Sequence, residues 1–297
     1  MNKKSSRAII ALCLLILAVF PAWGQQASFN VSSSVDWIKG ELFSELSFDL
    51  AQAGVKLPTG RFLAEEILQD AYPELLRPNL LSLRLDSNST VANLAERGEL
   101  SLALLDSICL EAEKVPPSLS PDLKRMTGRY TMLMDRISAL FIRHRQAIEP
   151  PRPLIRAATA DYTGIIIIAD SELPVHGRRG QALMEPCIFP KIWDTDMNLV
   201  YERNMLEPEG PTGNRMVRYI ARESIFRSSP SGLEGELAAL LGPNPLRIIA
   251  REVFGVNPTD PVIDREDALK ILSSENNRRL LMEGRVALVL SETKLKF

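Results

Sequence analysis

The feature that most constrains this chain is Glu149-Pro150-Pro151-Arg152-Pro153. Three prolines in four positions cannot continue a helix, and they favour extended backbone in the residues before them. The chain has 297 residues, room for one large domain or two modest ones. Before the prolines the apolar spacing is mostly helical; after them strand signals take over. The expected organisation is a signal peptide over 1–24, an N-terminal strand plus helical region over 25–148, a Pro-rich linker over 149–157 and a C-terminal α+β domain over 158–297. The expected fold class is α+β, with a mainly helical N-terminal region and a C-terminal mixed β-sheet carrying a late helix.

The first residues read as an export address. Lys3, Lys4 and Arg7 precede thirteen apolar residues, Ala8 to Phe20, and Pro21 and Ala22-Trp23-Gly24 supply a break and small residues. The run falls short of the roughly 20 residues needed to cross a bilayer. Cleavage after about Gly24 is expected, giving a periplasmic protein; the alternative is an uncleaved anchor, the one membrane contact foreseen. Cys13 follows Leu12 in mid-run, which is not a lipid-attachment site. The remaining cysteines, Cys109 and Cys187, are expected as separate buried thiols rather than a disulfide. Lys plus Arg total 35 against 37 Asp plus Glu, so no basic surplus favours a nucleic-acid partner. Two histidines argue against a His-rich metal enzyme.

In the N-terminal part, Asp36 to Leu42 reads as a strand and turn flexing at Gly40, with Leu42, Leu46, Phe48 and Leu50 partly in period two. Phe62, Leu63, Ile67, Leu68, Ala71, Leu75 and Leu76 draw one helical face, limited or kinked by Pro73 and Pro78. Thr90 caps a short helix stopped near Gly98; another helix begins near Ser101 and breaks at Pro116-Pro117. Ser120-Pro121-Asp122 has the form of a helix start, and Leu123, Met126, Tyr130, Leu133, Ile137, Leu140 and His144 favour one helix from about 121 to 145. Alternation around Gly128, Tyr130, Met132 and Met134 equally allows a strand first. So 133–145 is expected as helix and 124–132 stays open.

In the C-terminal part, Ile165 to Ala169 is a β-branched run suited to a central strand covered on both faces. Strands are expected over Cys187–Trp193 and Leu199–Arg203 about a polar turn, at Met216–Ile220, over Leu246–Val253 and at Arg285–Leu290. Asp264, with Asp267 three residues on, opens one helix that Gly284 ends.

Chemistry is sparse. Asp194-Thr195-Asp196-Met197-Asn198 opens like a calcium loop, but Leu199 and Met205 occupy the positions that need Gly and Glu, so a hairpin turn is expected and no metal. Asp170, Asp194 and Asp196 could act together only if the fold gathered them. Ser171 lacks a nucleophile-elbow pattern. His144 is expected as a packed histidine. His176, Arg178 and Arg179, in a glycine-flanked loop, are the candidate ligand-binding residues, since arginine forks match carboxylates and phosphates; a solvated basic loop is the plainer alternative. No catalytic residue and no cofactor are expected.

Asp161-Tyr162-Thr163-Gly164 running into Ile165–Asp170, Pro190-Lys191-Ile192-Trp193-Asp194, Val200-Tyr201, Asn257 to Ile263 and Gly284-Arg285-Val286 together resemble small bacterial envelope lipoproteins, including the FlgP-like flagellar basal-disk group. Val35-Asp36-Trp37 with Gly40 fits the same pattern. The whole chain also resembles uncharacterised spirochaete periplasmic proteins, some labelled "polymerase", a label with no basis in a chain lacking a basic face and a metal-nucleotide motif. The chain departs from the lipoproteins in having no lipid-attachment site. The resemblance implies a non-enzymatic exported periplasmic scaffold or assembly protein, partnered by envelope or flagellar-motor proteins or by further copies of itself as a homo-oligomer. The alternative is a periplasmic small-ligand or peptidoglycan-binding module using the His176–Arg179 loop.

Overall fold

Strict alternation builds the first sheet. In the computed structural model, which describes residues 28–225, 233 and 235–296, β1 (Phe29–Asp36) and β2 (Glu41–Asp49) form an antiparallel hairpin in register from Phe29↔Phe48 to Asp36↔Glu41. The expected signal peptide lies outside the described residues. Leu42, Leu46 and Phe48 face inward and are buried, while Glu41, Phe43, Glu45 and Asp49 face outward. Gly40 closes the hairpin at φ +70°, a left-handed conformation that glycine adopts without cost.

The helix α1 (Arg61–Ser82) lies along the inner face of this sheet. Ala64, Leu68, Tyr72, Leu76 and Leu80, each four residues apart, are all buried, and the Tyr72 ring stacks on Tyr130 with centroids 3.6 Å apart. Pro73 and Pro78 sit inside the helix and do not end it. The missing backbone bonds are offset by the buried stripe, because packing supplies most of a helix's stability in a folded protein. α2 (Val91–Glu96) has the expected Thr90 cap: Asn93 N–H donates to Thr90 Oγ1 at 3.4 Å and Thr90 N–H donates to Asn93 Oδ1 at 2.9 Å. Ser101 caps α3 (Leu102–Leu110).

The segment after α3 corrects the expectation of a mainly helical N-terminal region. β3 (Glu113–Leu119) and β4 (Arg125–Leu133) form a second hairpin, and β4 pairs β2 to give the antiparallel order β1-β2-β4-β3. Met126, Gly128, Tyr130 and Met132 alternate inward along β4, so the two-residue period wins over the helical one. Ser120-Pro121-Asp122 is the hairpin turn, not a helix start: Arg125 N–H donates to Ser120 Oγ at 3.0 Å, and Leu123 takes φ +56°. The side chains that cap helices also close turns, so the same residues fit either local structure. Pro116 and Pro117 lie in β3 at the register shift between Val115 and Ser118, on the outer strand, where no N–H is needed. Helix remains only over α4 (Met134–Ala139), and His144 falls beyond it, donating from Nε2 to the Leu206 carbonyl at 2.8 Å.

The C-terminal half contains β5 (Ile165–Ala169), β6 (Leu173–Pro174), β7 (Gln181–Ala182), β8 (Ile192–Asp194), β9 (Leu199–Tyr201), β10 (Arg218–Ile220), α5 (Gly235–Leu241), β11 (Leu246–Ile249), β12 (Glu252–Phe254), β13 (Asp260–Ile263), α6 (Arg265–Leu272), α7 (Glu275–Met282) and β14 (Val286–Leu290). In place of the expected single mixed sheet there are the two-stranded ribbon β6-β7 and two four-stranded sheets. One is wholly parallel, in the order β10-β14-β5-β11; the other is mixed, in the order β12-β13-β8-β9. β5 is the inner strand its composition demands, and Ile165, Ile166 and Ile167 are all buried. The stretch 246–253 divides because Ala250 N–H donates to Ile168 O while Arg251 N–H donates to Val262 O, so the chain changes sheets there. The expected late helix is also two, with Ser274 capping the second. Asp264 precedes α6 without capping it and takes Arg251 instead.

Both faces of the parallel sheet are covered. Ile166, Ala287 and Val289 pack with Leu233 and Leu241 on the α5 side. Ile165, Ile167 and Leu288 face the other way, into a core that runs without a break through to Leu68, Leu76 and Phe48 of the N-terminal layers. The proline-rich stretch follows the surface of the C-terminal half: Ile148 N–H donates to Asn204 O at 2.8 Å and Ala157 N–H to Ser273 Oγ at 2.9 Å.

Candidate functional site

The two halves are fastened at several points. Backbone bonds join Ile188 N–H to Arg84 O at 3.0 Å, Phe189 N–H to Leu85 O at 2.7 Å and Asn257 N–H to Ser87 O at 2.9 Å. Glu185 binds Arg84 from the N-terminal half and Lys294, at 2.8 Å, from the end of the chain. Burial alone would raise the Glu185 pKa, but hydrogen bonds from Lys294 and Arg84 outweigh it and hold the carboxyl below its ordinary range. The β1–β2 turn is inserted into the seam: Trp37 N–H donates to Leu295 O at 3.1 Å, and the Trp37 ring meets Tyr219 edge-on at 5.5 Å. The Tyr219 hydroxyl accepts from Cys187 N–H at 3.0 Å and donates to Cys187 O at 2.8 Å.

Beside this seam lies a cleft of about 720 Å³. One wall is β10, contributing Tyr219 and Ile220; the other is α5, contributing Leu237 and Leu240. Ile38, from the β1–β2 turn, closes one side. β10 is the outer strand of its sheet, and among the described residues no strand pairs with its free edge. One end carries three arginines, Arg215, Arg218 and Arg285. Arg215 and Arg218 share one carboxylate, Asp135 at the start of α4, with Arg218 Nη1 at 3.8 Å. Asp135 Oδ1, Arg215 Nε and Arg218 Nη1 are buried and meet as ions without an aligned hydrogen bond. Burial pulls the Arg215 pKa down against the charges of Asp135, Glu236 and Glu41, and pushes Asp135 up against Arg215. Two guanidiniums on one half-buried carboxylate at ion-pair distance leave donors for an incoming anion, with Glu236 and Glu41 farther off. Arg285 is paired with Glu283 at 2.8 Å, and Glu236 lies on the α5 side of the cleft.

The residues singled out from sequence go elsewhere. His176, Arg178 and Arg179 lie in the β6–β7 loop. His176 Nδ1 donates to Glu252 at 2.6 Å, Arg178 reaches the Val256 carbonyl at 3.4 Å, and Arg179 is exposed. None of the three lines the cleft. The three aspartates have separate tasks. Asp170 pairs with Arg222, which holds it below the usual carboxylate range. Asp194 ties its hairpin by accepting from Asp196 N–H at 3.0 Å and Asn198 N–H at 2.7 Å. Asp196 meets Arg265 at 3.2 Å. Among the described residues no three His, Cys, Asp or Glu side chains gather in a metal-holding group. Cys109 and Cys187 are free and buried, and burial pushes the Cys109 thiol up to about 12 and Cys187 well above its ordinary value. No described helix is long and apolar enough to cross a membrane. The cleft leaves little local signal in the sequence because Asp135, Arg215, Arg218, Glu236 and Arg285 are dispersed along the chain; the one local hint is Arg215-Met-Val-Arg218 entering a strand.

Fold and cleft together define an α+β protein with a groove beside the seam between its N-terminal and C-terminal halves. Family models match both domains in order: the N-terminal domain of Treponema pallidum Tp0624 over residues 28–140, and the second domain of the same protein over residues 164–292. Both matches are to domains of one protein, in the same order, and together they span most of the chain. No curated protein matches it.

Proposed function

We propose that this chain is an exported, non-enzymatic scaffold of the periplasm that holds envelope or flagellar-motor components together, as the likeness to FlgP-like proteins implies. The observation that carries the reading is the continuous core across the seam, joined by Glu185 and the Trp37 turn, which packs the two halves against each other beside the groove. The side chains with catalytic potential support it as well. Asp170, Asp194 and Asp196 are taken up by separate structural bonds, and burial keeps the Cys187 thiol protonated and unreactive. A rigid frame suits assembly, because a preorganised surface loses less entropy on docking than a flexible one.

The test is cross-linking in intact cells, followed by fractionation and size analysis under native conditions. The expected result is a processed N-terminus near Gln25, recovery with the periplasm and cross-linked species above monomer size containing envelope proteins. A cytosolic, unprocessed chain, or one that stays monomeric with no cross-linked envelope protein, overturns the proposal.

A further inference from the structure

We infer that the cleft between β10 and α5 takes the C-terminal end of an extended peptide, which adds as an antiparallel strand to the free edge of β10 and sets its terminal carboxylate among Arg215, Arg218 and Arg285. The inference rests on the scaffold reading above and names the chemistry of its docking partner.

Three observations point to this occupant. First, a strand edge with no pairing partner among the described residues borders a groove whose other wall is a helix, so a peptide's backbone can extend the sheet while alternate side chains rest on the helix. Second, the walls are apolar where those side chains would lie, at Leu237 and Leu240 on one side and Ile220 on the other. Third, the arginines cluster where β10 begins, and among the described residues Asp135 is the one carboxylate within ion-pair distance of both Arg215 and Arg218, with Glu236 and Glu41 acting on Arg215 from farther off. A carboxylate entering beside Arg218 gives the two guanidiniums a second anionic partner at ion-pair distance beside Asp135, and arginine forks suit a carboxylate.

Direction follows from the same geometry. β10 runs from Arg218 to Ile220, so a peptide that ends at Arg218 runs the opposite way and pairs antiparallel. β10 spans three residues, so the pairing engages about three residues of the ligand. Glu236, on the α5 side, disfavours a second acid, so the ligand ends in neutral or apolar residues with a single carboxylate.

The experiment uses the full mature chain and fluorescence anisotropy with N-terminally labelled hexapeptides. Their last three positions vary among apolar, polar, acidic and basic residues, and each is made as the free acid and as the C-terminal amide. Free acids with apolar ends are expected to bind, with their amides and acidic-ended versions at least tenfold weaker. R218E should abolish that binding and E236Q should preserve or tighten it. Leu240→Asp on the other wall serves as the second variant should R218E fail to fold, and should weaken binding at least tenfold. Equal binding of acids and amides, binding unchanged in R218E or L240D, no binding by any free acid, or displacement of the peptide by acetate or inorganic phosphate alone each overturns the inference. If peptides fail while cross-linked envelope complexes persist, the groove is wrong and the scaffold stands; loss of the cross-linked species from the unmodified chain refutes the scaffold itself.

Discussion

Replacing Gly40 by alanine tests whether the seam acts as a mechanical unit. Gly40 sits at φ +70°, where a Cβ costs about 1–2 kcal/mol against the following carbonyl. The new Cβ would also overlap the Arg215 guanidinium, with Cζ only 2.8 Å away. That side chain can move, but moving it takes Arg215 off Asp135 and breaks its Nη1 bond to the Lys39 carbonyl. Arg218, at 3.8 Å, still partly compensates Asp135, and both partners keep some solvent contact, so the lost pair costs roughly 1–2 kcal/mol rather than the full penalty of a stranded buried charge. Gly40→Ala should therefore cost about 2–4 kcal/mol in total. In an Arg215→Ala background only the backbone cost remains, about 1–2 kcal/mol. Urea unfolding of the four proteins in this cycle, followed by Trp37 and Trp193 fluorescence, gives the coupling directly. A cost for Gly40→Ala that is the same in both backgrounds would refute the claim that Arg215 packs onto the turn.

Two further substitutions probe the seam charge and the inner strand. Glu185→Gln should cost on the order of 1 kcal/mol at neutral pH, because it weakens the bonds to Arg84 and Lys294. The folded pKa of Glu185 is lowered, so its contribution is full above the ordinary value of 4.5 and is lost as pH falls through the lowered folded value. The stability gap between wild type and variant should accordingly close on acidification below that range, and a gap as large at pH 3 as at pH 7 would count against the pairing. Ile167→Ala removes a fully buried side chain from the inner strand β5 and should destabilise by about 2–5 kcal/mol in the same urea assay; a loss below 1 kcal/mol would show that β5 is not packed as described.

Local chemistry made some elements legible and left others hidden. The β-branched run Ile165–Ile168 could hardly be anything but an inner strand, and Thr90, Gly40 and the 194–198 turn each carry a signal that acts within a few residues. The β3–β4 hairpin was ambiguous because Met126, Tyr130 and Leu133 fit a helical period as well as Met126, Tyr130 and Met132 fit an alternating one. What decided it was pairing with β2, some 80 residues away, which no local pattern records. Likewise, Pro73 and Pro78 carry a standard helix-breaking signal, yet α1 continues because its buried stripe has a sheet to lie on. α5 carries no legible pattern because Gly235–Leu241 is too short to show a period. The cleft was the least visible of all: its arginines and their shared aspartate meet only after both domains have folded and docked. The His176–Arg179 loop, by contrast, drew attention because its charges are contiguous, and contiguity says nothing about Glu252 lying opposite His176.

Native-state hydrogen exchange on the mature chain, resolved by residue, tests the central claim most directly. If the seam makes the two domains one body, the amides of Leu68 to Leu80 in α1 and of Ile165 to Ala169 in β5 should exchange with the same opening free energy, and Gly40→Ala should lower both by equal amounts. If one set opens well before the other, or if the substitution lowers protection in the N-terminal layers alone, the domains are independent and the rigid frame on which the docking groove depends does not exist.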